Sequence, residues 1–441
     1  MKKRILVFSV DAMVYEDLEY LRTKPNFRTY LEGGSTVKRI RSIYPTVTYP
    51  NHVSMATGCY PDKTGVFSNY KFTTNSKEDT WQWFADSIQV KDIFTAAKQA
   101  GYQTAAIFWP VTGCHPDIDY LIDEYWMPEK DDTLQSAFTR VGSSPQVLEI
   151  IQKNEHRLAR SYLKTGRKNF CVQPEVDNFL IGCAADIIRE YAPEVVFVHS
   201  GCIDNIRHTK GVFGPWINPT LDLLDEQIGT LCHALEEVGQ LENTDIFLVS
   251  DHGQLEIKRT IKLNALLADR GYITVNEKGK AVDYSAYCLS NAMSSLVYLK
   301  DPADTALRNK LYEELCWLRD EGIYGFDAVY TREEIAQSEH LDGDFAFVLE
   351  SDGYTSFSDS CKRPLIAQLD LSDFRFGKAT HGYFPDKGPQ PTLVAKGPHI
   401  KAGVEIERRP IVDEAPTYAK LLGAALEDAQ GTAIDEILQL D

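Results

Sequence analysis

The chain has 441 residues, 43% of them hydrophobic and 25% charged, which is the make-up of a large globular protein and excludes a fibrous or disordered one. It carries 46 Lys and Arg against 64 Asp and Glu, a net charge of −18 and an isoelectric point near 5.1. That balance repels phosphate polymers and anionic bilayers at long range, so nucleic-acid polymers and membranes are not expected partners; a small phosphorylated substrate stays open, because bound metal ions reverse the field locally.

Taken in chain order, the first predicted element is a strand, Ile5–Val10, within MKKRILVFSVDAM. Its apolar run is too short for a signal peptide and no small-residue cleavage site follows. Residues 44–58, YPTVTYPNHVSMATG, come next. Pro50 suits the first turn of a helix, and Gly58 the position just past its end. Thr48 then sits just before a helix N-terminus, where free N–H groups favour an anion. A plain N-cap role accounts for Thr48 equally well on local grounds. Thr46 reads as a turn residue and Thr57 as a structural one.

Helical periods cover Lys91–Ala100, Gln146–Leu163, Asn178–Glu190 and Leu221–Glu237, and short β-rich runs at Thr104–Phe108, Val195–Val198, Ile246–Val249 and Thr392–Ala395 read as buried strands. VVFV and IFLV show no polar alternation, as expected of central strands covered on both faces. The alternation of strands with helices predicts an α/β core around a mostly parallel sheet. Residues 255–370 differ: SSLVYLKD and FAFVLESD alternate, and turn signals are frequent. We read this stretch as a smaller α+β cap inserted into a core formed by 1–254 and 371–441. No apolar run approaches the roughly 18 residues of a membrane span. The nine cysteines, an odd number without CxxC pairs, suit reduced packing residues in a cytoplasmic protein. Monomer or homo-oligomer is left open.

In open α/β sheets ligands bind beyond the carboxyl ends of the strands. Asp11 follows ILVFSV, Asp204 and His208 follow VVFVHSGCI, Asp251 and His252 follow IFLVS, and His381 in THGYFPDKG precedes the last predicted strand. Each alone is as well explained by a cap or a turn. Together they place three carboxylates and three imidazoles at one end of one sheet. Such a donor set suits Zn²⁺, or Mn²⁺ as second choice, and six ligands fit two ions better than one. A hydroxyl at Thr48 beside such ions becomes a candidate nucleophile.

VDA at 10–12, TYPNH at 48–52, TGxYPxxxGV at 57–66, DNIRH at 204–208, SDHG at 250–253 and HGY at 381–383 resemble the type I phosphodiesterase/nucleotide pyrophosphatase family, of the alkaline phosphatase superfamily. The resemblance implies an alkaline-phosphatase-like three-layer sandwich with the cap inserted before the last metal ligand. It implies Thr48 as nucleophile, one metal on Asp11, Asp251, His252 and Thr48, and the other on Asp204, His208 and His381. It implies that Asn69 donates a hydrogen bond to a phosphoryl oxygen. Tyr70, Lys71, Phe108, Trp109 and Tyr383 are further candidates for substrate contact, the aromatics by stacking on a base or an aromatic leaving group.

The implied reaction is hydrolysis of phosphodiester or phosphoanhydride bonds in nucleotide-type substrates through a phosphothreonine. Rival readings are a phosphonoacetate-type C–P hydrolase or a phosphomonoesterase at the same two-metal site, a metal-dependent phosphomutase, and a binding protein that keeps the fold without turnover. The TYPNH setting and the cap placement argue against the phosphomutase, and the intact ligand set against the binding protein. Cys59-Tyr60-Pro61-Asp62-Lys63 mimics a sulfatase signature, but it lies eleven residues past Thr48 and has Lys for Arg, so Cys59 reads as structural. His52 lies inside TYPNH but at no ligand position of the family, and His115, His156, His199, His233, His340 and His399 match no motif position; all seven read as structural or surface residues.

Overall fold

Alternate residues of the apolar runs belong to two different cores. In the computed structural model, which describes residues 2–75, 80–160, 170, 172–371 and 377–440, Leu6, Phe8 and Val10 of the strand Arg4–Val10 face one core, and Ile5 and Val7 face the other. Val196 and Val198 likewise join the first, and Val195 and Phe197 the second. Successive side chains of a strand point to opposite faces, so a sheet buried on both sides needs an apolar residue at every position. The absence of polar alternation is the sequence trace of that burial.

These strands form one eight-stranded sheet, in the order Glu405–Pro410, Ser35–Arg41, Leu393–Lys396, Thr244–Val249, Arg4–Val10, Val195–Ser200, Thr104–Ile107, Tyr120–Ile122. Leu393–Lys396 is antiparallel to both of its neighbours; the other pairings are parallel. Helices Glu175–Tyr191 and Asn218–Glu237 close the first core with Phe179, Ile187, Leu221 and Leu224. Helices Thr48–Thr57, Ile93–Gln99 and Glu414–Leu422 close the second with Met55, Phe94 and Tyr418. The result is the expected α/β three-layer sandwich around a mostly parallel sheet.

Three strands of this sheet are absent from the sequence reading. Tyr120–Ile122 is only three residues long, and Ser35–Arg41 and Glu405–Pro410 mix charged residues into their runs at or next to the sheet edge. His381 therefore precedes the penultimate strand of the sheet, not the last. The helix expected over Gln146–Leu163 runs Pro145–Asn154 and tightens into a 3₁₀ turn at Glu155–Leu158; residues 161–163 lie outside the described residues.

Between Thr244–Val249 and Leu393–Lys396 the chain leaves the sheet. Leu255–Glu256 pairs with Ala379–Thr380 at the base of this excursion. Beyond it stands an antiparallel sheet in the order Ala286–Ser290, Ser294–Leu299, Phe347–Ser351, Phe326–Thr331. Helix Thr305–Asp320 packs on it through Leu311, Leu315 and Leu318, which share a separate core with Val297, Val329 and Leu349. No described helix is long and apolar enough to cross a membrane. The cysteines Cys59, Cys114, Cys183, Cys202, Cys232, Cys288, Cys316 and Cys361 are free thiols, and Cys171 lies outside the described residues.

Candidate active site

Thr244–Val249, Arg4–Val10 and Val195–Ser200 are adjacent parallel strands, so the residues that follow them emerge side by side at one edge. Asp11 follows Arg4–Val10 directly, and Asp251 follows Thr244–Val249 after Ser250. The third runs into helix Cys202–Lys210, whose turn places Asp204 and His208 on one face, with His208 Nε2 3.1 Å from Asp204 Oδ2. Because Leu393–Lys396 is antiparallel, its start lies at the same edge, and the chain leading into it brings His381 there.

Five of the six ligand candidates meet in two groups, and His208 stands beside them against Asp204. Ligand atoms of Asp11, Asp251 and His252 lie within 4.8 Å of one another, as do those of Asp204, His252 and His381. His252 belongs to both groups: its Nε2 is 3.4 Å from Asp11 Oδ1 and 3.2 Å from Asp251 Oδ2, and its ring stacks on His381 at 4.1 Å between centroids. His381 Nε2 is 3.9 Å from Asp204 Oδ1.

The backbone settles which atoms remain for an ion. Asp251 Oδ1 accepts from the Ala12 N–H at 3.2 Å, and His208 Nδ1 donates to the Ala379 carbonyl at 2.7 Å, which leaves the Nε2 lone pair toward Asp204. Asp11 Oδ1 and Asp251 Oδ2 are buried acceptors without a hydrogen-bond partner. Burial and the carboxylates of Asp251, Asp204 and Glu124 push Asp11 well above the usual carboxylate range, and burial pushes Asp251 up to about 8. Burial lowers His381 to about 4 and His252 well below the ordinary value, which keeps both imidazoles neutral with a lone pair to give. Buried carboxylates crowded together with neutral imidazoles fit divalent cations.

Helix Thr48–Thr57 starts one residue earlier than the sequence suggests. Its N-cap position is Val47, in extended conformation, so Thr48 is not an N-cap residue but the first helical one. Its hydroxyl is 3.2 Å from His252 Nε2. Asn69 Oδ1 accepts the Tyr49 N–H at 2.9 Å and takes up one of the helix's unsatisfied donors. That bond fixes the amide orientation and leaves Nδ2 as the donor end.

Several residues invisible to motif reading hold this edge together. Arg207, fully buried, binds both oxygens of Asp17 at 2.7 and 2.9 Å, donates to the Val212 carbonyl at 3.1 Å and reaches the Ala12 carbonyl, so it ties the Asp11 loop to the helix of Asp204 and His208. Gln254 donates to the Asp204 carbonyl at 3.1 Å and to its Oδ1. Thr46 proves more than a turn residue: its Oγ1 donates to the Tyr383 carbonyl at 2.8 Å and accepts the Gly382 N–H at 3.0 Å, which docks the His381 loop. Gly382 has φ +90°, and a Cβ there would lie 1.8 Å from the Asn291 carbonyl oxygen; a Cβ on Gly253 would lie 2.2 Å from the Pro389 carbonyl oxygen. These close approaches explain both motif glycines.

The substrate candidates divide. Phe108 and Trp109 are 2% and 1% exposed. Phe108 packs on Trp126 and Phe170, and Trp109 on His52 and Phe197, so their rings serve the core and offer no face to a ligand. Tyr383 is buried against Ile257 and Met293 and is likewise a packing residue. Tyr70 is half-buried beside Trp81, with centroids 4.6 Å apart, and Lys71 is exposed. Trp81 is an aromatic that motif reading misses, because it lies twelve positions past Asn69 and reaches Tyr70 only through the bridge between them.

His52 is a satisfied buried histidine: Nδ1 donates to the Thr48 carbonyl at 2.9 Å, Nε2 accepts from Ser9 Oγ at 2.8 Å, and burial lowers it to about 3. His199 stands closer to the chemistry than expected, with Nε2 3.5 Å from Asp11 Oδ2 and 4.0 Å from Glu124 Oε2. His115, His340 and His399 pair with Asp92, Asp62 and Asp245, His233 with Glu236, and His156 bonds the Lys153 carbonyl. Cys59 is buried with Sγ 3.1 Å from the Asp428 carbonyl, in a packing role.

A profile of the type I phosphodiesterase/nucleotide pyrophosphatase family matches residues 5–383. The chain belongs to this family. Human ectonucleotide pyrophosphatase/phosphodiesterase family member 1 is 25% identical over 284 residues, 60% of this chain, and the chain spans about a quarter of that relative's length. Human bis(5′-adenosyl)-triphosphatase ENPP4 is 23% identical over 446 residues, covering 97% of this chain and 80% of the relative. Among solved structures, murine ectonucleotide pyrophosphatase/phosphodiesterase 5 superposes with a TM-score of 0.65 at 19% identity, covering 99% of this chain and 100% of that one. At that identity the likeness speaks for the shared fold.

Proposed function

We propose that this family member is a two-metal hydrolase of phosphodiester or phosphoanhydride bonds in nucleotide-type substrates, with Thr48 as nucleophile. The observation that carries the reading is the Thr48 hydroxyl: it stands on the first helical residue, 3.2 Å from Nε2 of His252, the residue shared by both ligand groups. Asp11, Asp251 and His252 would hold one ion beside Thr48, and Asp204, His208 and His381 the other, with zinc favoured by the mixed oxygen and nitrogen donors. When bound, such ions lower the pKa of a nearby hydroxyl and neutralise charge on phosphoryl oxygens.

Thr48 Oγ1, its proton released to solvent, forms a bond to phosphorus as the bond to the leaving oxygen breaks, and that oxygen leaves taking a proton from solvent, giving a phosphothreonine. Water entering from the opposite side then cleaves the phosphorus–Oγ1 bond and restores Thr48. The helix N-terminus stabilises negative charge beside Thr48, and Asn69 Nδ2 donates to an equatorial oxygen. Tyr70 is the remaining aromatic candidate for stacking on a base, in line with a relative of the same fold solved in complex with AMP. We assign residues 255–370 as the cap that limits substrate size.

The test is an activity panel on the zinc-loaded chain: a nitrophenyl nucleotide diester, a nitrophenyl monoester, a dinucleotide and phosphonoacetate. Diester or dinucleotide turnover that Thr48→Ala abolishes, with an unchanged unfolding transition, is the expected result. A preference for the monoester, turnover of phosphonoacetate alone, or an active Thr48→Ala variant would overturn the reading.

A further inference from the structure

Glu350 lies on the strand Phe347–Ser351, outside the eight-stranded sheet, and is 2% exposed. Its carboxylate meets three donors from the other side of the interface. Tyr44 Oη donates to Oε2 at 2.9 Å, the Phe384 N–H donates to Oε1 at 2.9 Å, and Lys387 Nζ is 2.9 Å from Oε1. Lys387 Nζ also donates to the Ser351 carbonyl at 3.0 Å. Tyr44 precedes Thr48 by four residues, and Phe384 follows His381 by three. One carboxylate therefore grips both the segment that presents the nucleophile and the segment that presents the last histidine.

The surroundings make this group costly. Tyr44 is fully buried in a cluster with Leu289, Leu296, Tyr298 and Val348, and its ring packs on Phe384 with centroids 5.3 Å apart. An apolar residue would fill that cluster without the several kcal/mol, of order, that burying a carboxylate costs. The two core segments are also laced to each other, by the Gly382 N–H to the Thr46 carbonyl at 2.9 Å and by the Thr46 hydroxyl. They shift as one unit or not at all, and Glu350 decides where that unit stands against the inserted sheet.

We propose that Glu350 is a positioning residue for the reaction, through which the inserted segment fixes Thr48 and His381 relative to the rest of the site. This rests on the roles proposed above for those two residues, so the experiment includes a readout that needs neither turnover nor metal. Glu350→Gln and Tyr44→Phe are compared with the wild-type full chain. Hydrogen exchange is followed on peptides spanning 44–48 and 381–387. Both variants are expected to exchange at least about tenfold faster in both segments, with Arg4–Val10 and Thr244–Val249 unchanged. In the zinc-loaded forms, kcat on the nucleotide diester is expected to fall about 10- to 100-fold, with KM within about threefold, as for a displaced reacting group. Tyr44→Phe is isosteric and loses a single hydrogen bond, so it decides the matter where Glu350→Gln fails to fold. Faster exchange in only one segment, or wild-type kcat in a folded variant, overturns the proposal. A wild type inert on every diester, with both segments loosened in the variants, sinks the proposed function and leaves the positioning role standing.

Discussion

The role proposed for Asn69 gives the two ends of one amide separable tasks. Its Oδ1 accepts the Tyr49 N–H at 2.9 Å, and its Nδ2 is the end assigned to a phosphoryl oxygen. Asn69→Asp keeps the acceptor and deletes the donor; Asn69→Ala deletes both. The acceptor serves a backbone N–H in the first turn of helix Thr48–Thr57, so its loss should cost about 1 kcal/mol, the ordinary value for a lost helix cap. A carboxylate at that end gains from the helix dipole by about 0.3–1 kcal/mol, so the zinc-loaded Asp variant should unfold within about 1 kcal/mol of wild type. For turnover the order reverses. Losing one preorganised donor to a developing oxyanion costs about 10²–10³ in kcat, or about 2.7–4 kcal/mol, and the Asp variant adds repulsion to that loss. Urea unfolding and diester kinetics on the two variants separate the tasks. An Asp variant with turnover within about threefold of wild type would refute the donor role; an Asp variant clearly less stable than the Ala variant would refute the capping role.

Two further predictions concern stability. Arg207→Met leaves Asp17, 4% exposed, as a buried carboxylate without its partner, and should cost about 3–5 kcal/mol in urea unfolding; a double variant with Asp17→Asn should recover part of it, and a loss under about 1 kcal/mol would show that the pair is not the strut described. Burial pushes the Glu414 carboxyl, bonded by Tyr418 Oη at 2.9 Å, from 4.5 up to about 8. The folded chain therefore keeps that proton across a window in which the unfolded chain has lost it, and stability falls as pH rises from about 4.5 to about 8. Glu414→Gln should flatten this fall by up to about 4 kcal/mol between pH 5 and pH 9; an unchanged slope would mean that other groups set it.

The convergence of the ligand candidates was legible because topology brings the ends of neighbouring parallel strands to one edge. Asp11, Asp251 and the Asp204–His208 pair each follow a strong apolar run, and three such runs proved to be neighbours in the sheet. His381 was legible less directly, through its place before the last predicted strand and its motif, since no general rule says what precedes an antiparallel strand. Thr48 was ambiguous locally, and the backbone removes the N-cap reading by giving the cap position to Val47. Phe108 and Trp109 misled because an aromatic pair at a strand end looks the same whether it turns to a ligand or to the core; here it packs on Trp126, Phe170 and Phe197. Arg207, Thr46 and Glu350 were out of reach, because each acts through partners distant in sequence, and no local pattern records that Asp17, Tyr383 or Tyr44 waits for it.

The place of the inserted segment in the chain also sets an order of assembly during synthesis. A nascent chain leaving the ribosome carries Asp11, Thr48, Asp204, His208, Asp251 and His252 before any of the inserted sheet exists. At that stage the strand Thr244–Val249 has a bare edge, because its partner Leu393–Lys396 has not been made. The insertion must be translated before His381 can arrive, and Glu350 arrives with the insertion. A chain stalled between His252 and His381 holds one candidate ligand group whole and the other short of a histidine. Late, long-range pairing of this kind completes the candidate site only once the chain has passed Leu393–Lys396, so quality control on nascent chains meets the folding intermediate before it meets the assembled site.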